Sequence, residues 1–190
     1  MEPMIQGPVV RRPATEAEAK ALAHPLRLRI LRLCIDESLT NKQLAERLDR
    51  DPGTVLHHVR SLVATGFLVP DEVRQGEKGA LEKPYRSTGK SWTLSVGDTA
   101  AEPAASQAML EAFLAELAEA GPDAAAGFDR LALTLNQASR EELETRVLAV
   151  LDEFATRPAD PDGEPFGLFF AIHRRRWGHA SGSGGVAPRS

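Results

Sequence analysis

The chain has 190 residues, 42% of them hydrophobic, with one cysteine and 27 acidic against 23 basic side chains, a formal charge of −4. This is globular composition; it excludes collagen-like, largely disordered and disulfide-stapled classes, since a lone cysteine closes no intramolecular bridge. No apolar run reaches the roughly 18 residues that span a bilayer, and the first residues lack the basic-then-apolar order of a secretory leader, so no membrane partner and a cytoplasmic location are expected. The charge is segregated: residues 1–97 carry +3, residues 98–173 carry −11 and residues 174–190 carry +4, which reads as different segments with different jobs.

Residues 1–14 read as an N-terminal arm. Thr15 and Glu18 then have the capping-box spacing, in which each side chain satisfies a free amide at a helix start, and this helix is expected to run to about Ala23. Pro25 opens a second helix with Leu26, Ile30, Leu33 and Cys34 on one face and Leu28, Leu31 and Ile35 widening the apolar stripe. Thr40 and Gln43 repeat the capping-box spacing and start a short helix to about Leu48, with Leu44, Ala45 and Leu48 inward. Asp51 followed by Pro52 is an N-cap with proline at the first helical position, where its missing amide costs nothing. That helix is expected to bury Val55, Val59, Leu62 and Val63 and to stop at Gly66. Two short helices joined by a tight turn outline a helix-turn-helix. Beyond Gly66, FLVPDEV, a polar stretch from Arg74 to Lys83, and then PYRST and SWTLSV read as a β-hairpin with a charged tip, Pro84 standing at a strand start or edge.

An alanine-rich amphipathic helix follows from about Pro103 to Ala120, with Leu110, Phe113, Leu114 and Leu117 on one face and Gly121 and Pro122 ending it. The period then changes: Leu131, Leu133 and Leu135 alternate with polar or small residues, as in a half-buried strand. Ser139 and Glu142 have a third capping-box spacing, opening a helix whose apolar face is Leu143, Val147, Val150, Leu151 and Phe154. FGLFFAI, short and apolar, reads as a more deeply buried strand, and residues 174–190 as a flexible basic tail. The fold class expected is α+β, predominantly helical: a winged helix-turn-helix over residues 15–97, then a long helix and a small α/β extension over residues 98–173.

Over roughly residues 15–97 the sequence resembles the winged helix-turn-helix of the arsenical-repressor-like (ArsR) family of bacterial transcription regulators. The resemblance is carried by Ala23, His24, Pro25, Leu26 and Arg27 at the start of the second helix and by the run Thr54 to His58 in the fourth, in that order and followed by a wing. It implies a homodimer on operator DNA near promoters, usually a repressor, and in many members release of DNA on metal binding. The thiolate pair of the metal-sensing members lies in the helix that here reads NKQLAERL, without cysteine, and their alternative His/Asp cluster has no counterpart near Pro103 to Ala120. Thiophilic sensing needs several soft ligands around one ion, so no metal and no cofactor are expected. The chain is more similar to a longer, non-metal subgroup carrying a C-terminal extension.

A recognition helix reads bases mostly from its N-terminal turns. Thr54, His57 and Ser61 lie on one stripe with Gly53 and Arg60 beside it, opposite the core face; Thr54 and His57 are expected on bases and Arg60 on phosphate, a solvated face being the bland reading. His58, three residues after Val55 and four before Leu62, borders the core and reads as structural. Thr40, Asn41 and Lys42 suit a phosphate oxygen at the preceding helix start, with capping alone as the alternative. In the wing, Arg74, Lys78 and Lys83 are interrupted by Glu77 and Glu82, and both DNA contact and plain solvation stay open. Cys34 reads as a small core hydrophobe rather than a redox sensor.

Leu110, Phe113, Leu114 and Leu117 are expected to pack against the same helix of a second chain. A two-fold dimer would present two recognition helices about 34 Å apart to a pseudo-palindromic operator. The alternatives are a winged helix serving only as an interaction module, or a regulator gated by an unidentified small-molecule effector in the C-terminal half. No enzymatic activity is expected, because nucleophile-elbow, paired-histidine zinc and phosphate-loop spacings are all missing from the sequence.

Overall fold

The two N-terminal capping boxes are formed, and they set where the first half of the chain turns. In the computed structural model, which describes residues 11–76, 79–97, 99–122, 127, 129 and 131–175, β1 (Arg12–Pro13) leads into α1 (Glu16–Leu22). The Thr15 hydroxyl accepts from the Glu18 amide at 3.3 Å and the Glu18 carboxylate accepts from the Thr15 amide at 2.8 Å. Helix α2 (Pro25–Asp36) starts one turn later, capped by His24, whose Nδ1 accepts from the Leu26 amide at 3.2 Å. Arg27 folds back to close α1, donating to the carbonyls of Ala21 and Lys20, both at 2.5 Å.

After β2 (Leu39–Thr40) come α3 (Asn41–Leu48) and α4 (Pro52–Ala64). Asp49 ends α3 in the left-handed conformation at φ 49°, a region that Asp and Asn enter more readily than most residues. The wing comprises β3 (Leu68–Pro70), β4 (Arg74–Gln75), β5 (Leu81–Glu82) and β6 (Pro84–Ser87). β6 is the central strand of an antiparallel sheet in the order β2-β6-β3, and β4 pairs with β5 toward the tip. Pro84 occupies the first position of β6, opposite Thr40, where the ladder tolerates a missing donor.

SWTLSV does not extend the hairpin. Lys90–Thr93 form a short 3-10 turn, and β7 (Leu94–Ser95) runs parallel to β1, with Arg12 opposite Leu94. The periodicity of SWTLSV suits a strand, but its partner is the N-terminal arm. Phe67, Ile30, Leu39, Leu44, Leu62, Leu68, Val55, Val59, Pro84 and Cys34 are fully buried and make one core from both helix pairs and the sheet. Truncating any of these leucines or the isoleucine to alanine typically costs about 2–5 kcal/mol.

The long helix α5 (Glu102–Ala120) packs on α1 and α2 through Ala105, Ala108 and Ala112. Small side chains allow close approach, and Arg29–Glu119 and Arg32–Glu116 ion pairs, the latter at 3.7 Å, flank the contact. Gly121 ends the helix at φ 86°. Helix α6 (Gln137–Ala155) is capped by Asn136, whose carbonyl accepts from the Ser139 amide at 2.8 Å. Its expected start at Ser139 is corrected by this: the cap lies one turn earlier, and Ser139 is inside the helix.

The extension contains no strand among the described residues, which corrects the α/β expectation for that segment. Residues 131–136 are irregular, with Leu131, Leu133 and Leu135 exposed by 79%, 49% and 41%. Alternation marks a face that favours burial, but the strand needs a partner, and the described chain supplies none. The chain divides into compact units Met1–Pro158 and Ala159–Ser190. In the second, Asp160 to Gly163 form a turn and FGLFFAI is likewise irregular and largely exposed, not a buried strand. No helix among the described residues is long and apolar enough to cross a membrane.

One carboxylate joins the N-terminal pieces. Glu18 is 6% exposed, yet it meets Arg12 at 2.6 Å and Lys90 at 2.6 Å. The hydrogen bonds from Arg12 and then Lys90 hold its carboxyl far below the ordinary carboxylate range. A carboxylate with a depressed pKa stabilises the fold above its unfolded pKa, near about 4.3, and loses that contribution as pH falls below it. Glu18→Gln is therefore expected to cost about 3 kcal/mol at neutral pH. In urea titrations the gap to wild type should narrow under acid; a gap constant down to about pH 2 would contradict the ionic role.

Candidate nucleic-acid interface

Polar contacts shape the starts of helices α3 and α4 and join them. Asn41 is half-buried and its Nδ2 donates to the Pro52 carbonyl at 2.9 Å, tying the first turn of α3 to that of α4. Thr40 is 8% exposed, and its hydroxyl accepts from the Gln43 amide at 3.2 Å while Gln43 Oε1 accepts from the Thr40 amide at 2.9 Å. Thr40 thus shapes the helix start from beneath the surface. Lys42 is exposed at the same end, 3.8 Å from Glu46.

In α4 the two faces separate cleanly. Val55, Val59 and Leu62 are fully buried, whereas Gly53, Thr54, His57 and Arg60 are exposed and Ser61 is half-buried. The Asp51 carboxylate caps the helix by accepting from the Thr54 amide at 2.9 Å, with the Thr54 hydroxyl 3.4 Å away. A Cβ at position 53 would lie 2.9 Å from that carboxylate, so glycine there leaves the cap undisturbed. Arg60 has no acidic partner among the described residues and is free to meet an anion.

Behind this face lies a histidine pair. The His58 ring is 4.4 Å from the His24 ring and 5.5 Å from that of His57, and His58 Nδ1 is buried without a hydrogen-bond partner among the described residues. Burial, reinforced by His24, Arg27 and His57, pushes the His58 pKa down to about 4, and burial lowers that of His24 as well. His58 is neutral at physiological pH and serves as the core-bordering residue its position implied. Cys34 is fully buried, and burial pushes its thiol up to about 11, which suits packing and opposes thiolate chemistry.

The wing contributes fewer open charges than its composition implies. Arg74 faces Glu82 across the β4–β5 pair at 3.3 Å and also reaches Gln43 of α3 at 3.2 Å, so it joins the wing to the helix pair. Lys83 is exposed with no acidic partner among the described residues; Lys78 lies outside them. At the wing base, Asp71 binds Ser38, the Glu72 amide and Arg86, and these contacts lower its pKa to about 2. Leu110 and Leu114 of α5 are exposed by 39% and 53%, while Phe113 and Leu117 are half-buried, so the leucine stripe is not consumed by the chain's own core.

Two residues escaped the sequence reading. Arg50, between Asp49 and Asp51 in the α3–α4 turn, is exposed and, among the described residues, donates only to the Asp49 carbonyl at 3.0 Å; its acidic neighbours in sequence masked an open cation. Lys90 meets the Thr65 carbonyl at the end of α4 at 2.6 Å, the Phe67 ring at 5.0 Å and Glu18, and no local signal announces so distant a set. Among the described residues no three His, Cys, Asp or Glu side chains are grouped to hold a metal ion.

The helix-turn-helix domain family matches residues 22–70, from the end of α1 through β3. No curated protein matches the chain. Among solved structures, the chain is similar to reduced HlyU from Vibrio cholerae, at 20% identity over 52% of this chain and 84% of that one, with a TM-score of 0.33. It is also similar to a mutant form of ZitR from Lactococcus lactis, at 19% identity over 68% of this chain and 73% of that one, with a TM-score of 0.31. The matched domain and the wing beside it define the class: a winged helix-turn-helix protein, which points to a DNA-binding transcriptional regulator.

The buried histidines carry a pH signature. A pKa of about 4 in the fold against about 6.5 unfolded means that the unfolded chain binds more protons between these values, so stability is full above about pH 6.5 and falls toward pH 4. Wild type is expected to lose stability between about pH 7 and pH 5, and His58→Leu to flatten that slope. Urea midpoints at the two pH values check this; an equal slope in the variant would remove His58 as its source.

Proposed function

We propose that the protein is a sequence-specific transcriptional regulator of the ArsR type, acting as a repressor and binding a pseudo-palindromic operator as a homodimer. What carries this reading is the α4 face, where Thr54, His57 and Arg60 stand exposed on a helix whose opposite side is locked into the core by Val55, Val59 and Leu62. Thr54 and His57 present hydrogen-bonding groups to base edges and Arg60 a cation to phosphate, with Ser61 deeper in the same stripe. Lys42 at the start of α3 and Lys83 in the wing add phosphate contacts on either side, while Asn41 and Arg74 hold those elements in place. Thr40 supports the start of α3 from within.

The dimer is assigned to the stripe Leu110, Phe113, Leu114 and Leu117 of α5. Two of its members are exposed while alanines fill the helix's internal face, so a second copy of this helix is the natural cover.

In vitro selection of bound duplexes from a random library, at two salt concentrations, tests the reading directly. Enrichment of an inverted repeat with half-sites one duplex turn apart is expected; no enriched half-site would favour an interaction module instead. His57→Ala should flatten the sequence preference. Lys83→Ala should weaken binding evenly across sequences and reduce the salt slope by about one. Unchanged discrimination by the His57 variant would remove that residue from the base-reading set.

A further inference from the structure

In the second unit, Phe166, Leu168, Phe170 and Ile172 are exposed by 72%, 63%, 37% and 39%, and their segment joins no sheet. Alternate positions share one face of an extended strand, so these four side chains would form an apolar row. Glu164 and Arg174 continue that row at its two ends, both exposed, and residues 165–172 carry no charge. An acid at one end and a base at the other, with only apolar residues between, is self-complementary when the strand is turned end for end.

We infer that residues 164–174 form a homodimer contact in which two copies pair as antiparallel strands about Phe169. Phe166 then lies opposite the partner's Ile172, Leu168 opposite the partner's Phe170, and Glu164 opposite the partner's Arg174. Two-fold symmetry makes each pair occur twice, as an isologous contact requires. Sliding the register by one pair in either direction sets Glu164 against Ile172 or Arg174 against Phe166, so only the alignment about Phe169 keeps both charges off the apolar row. Pro165 has no amide hydrogen, and it fits because Phe166, Leu168, Phe170 and Ile172 carry the ladder bonds while the Pro165 position faces away from them. The pairing gives the apolar row its cross-strand neighbours and explains why a sequence patterned as a buried strand is uncovered in the single chain. Free edges of this kind are the usual template for strand addition.

This contact shares with the proposed function only its second copy; the α5 stripe is a separate surface. The test is sedimentation equilibrium of the full chain and of the variants Glu164→Arg, Arg174→Glu and the two combined. Each single reversal places like charges opposite each other twice and is expected to weaken association by about tenfold, less at high salt. The double reversal is expected to restore wild-type affinity to within about threefold. Single variants that associate like wild type, or a double variant that fails to recover, would overturn the contact. Leu114→Glu separates the two surfaces: weakening there with all charge variants unaffected keeps the α5 dimer and overturns the strand contact. Weakening and rescue in the charge series with Leu114→Glu unaffected does the reverse.

Discussion

Glu18 is a carboxylate almost without water, and the first half of the molecule is assembled around its need for donors. Arg12 supplies one from β1, the Thr15 amide another from the start of α1, and Lys90 a third from the 3-10 turn. A buried charge left alone would cost several kcal/mol, so each of these donors stabilises the junction. Lys90 extends the constraint, since the same ammonium meets the Thr65 carbonyl and thereby fixes the C-terminal end of α4. The arm, α1 and the end of α4 are thus joined by one small ionic junction. Arg11 repeats the strategy outward, stacking on Trp92 at 4.5 Å and pairing with Asp152 of α6 at 2.7 Å.

Internal pairing also decides what charge is left for DNA. Arg12, Arg29, Arg32, Arg47, Arg74, Arg86 and Lys90 all face carboxylates of the same chain. Arg50, Arg60 and Lys83 are the cations of the helix pair and wing left open among the described residues, with Lys42 only loosely held. The electrostatic attraction available to a phosphate backbone therefore rests on these few cations, in keeping with a net charge of only +3 over residues 1–97. On the proposed reading, affinity from so few contacts would lean on shape, on base edges and on the doubling that a two-fold assembly provides.

What the sequence reveals follows the range of the interaction. Capping boxes at Thr15 and Thr40, the Asp51–Pro52 start and the Gly121 stop were legible because cap and helix are neighbours in the chain. So was the core-bordering place of His58, which follows from helical spacing alone. The pairing of β1 with β7, the reach of Arg74 to Gln43 and the Lys90 junction were not, because each partner is remote in sequence and of an unremarkable type. Leu131 to Leu135 and Phe166 to Ile172 failed differently. Their alternation records a face that favours burial but carries no information on which chain supplies the cover. On α5 the large residues drew the eye, while the alanines made the internal contact.

Asp49, in its left-handed turn, has a consequence for how the protein could respond to any signal. Only Asp49 to Asp51 separate α3 from α4, and the Asn41–Pro52 bond closes the same corner from the other side. So short a connector, with that bond across it, leaves little slack between the two helices. On the proposed dimeric reading, a change in the spacing of two copies would alter the span between half-sites without requiring α3 and α4 to move against each other.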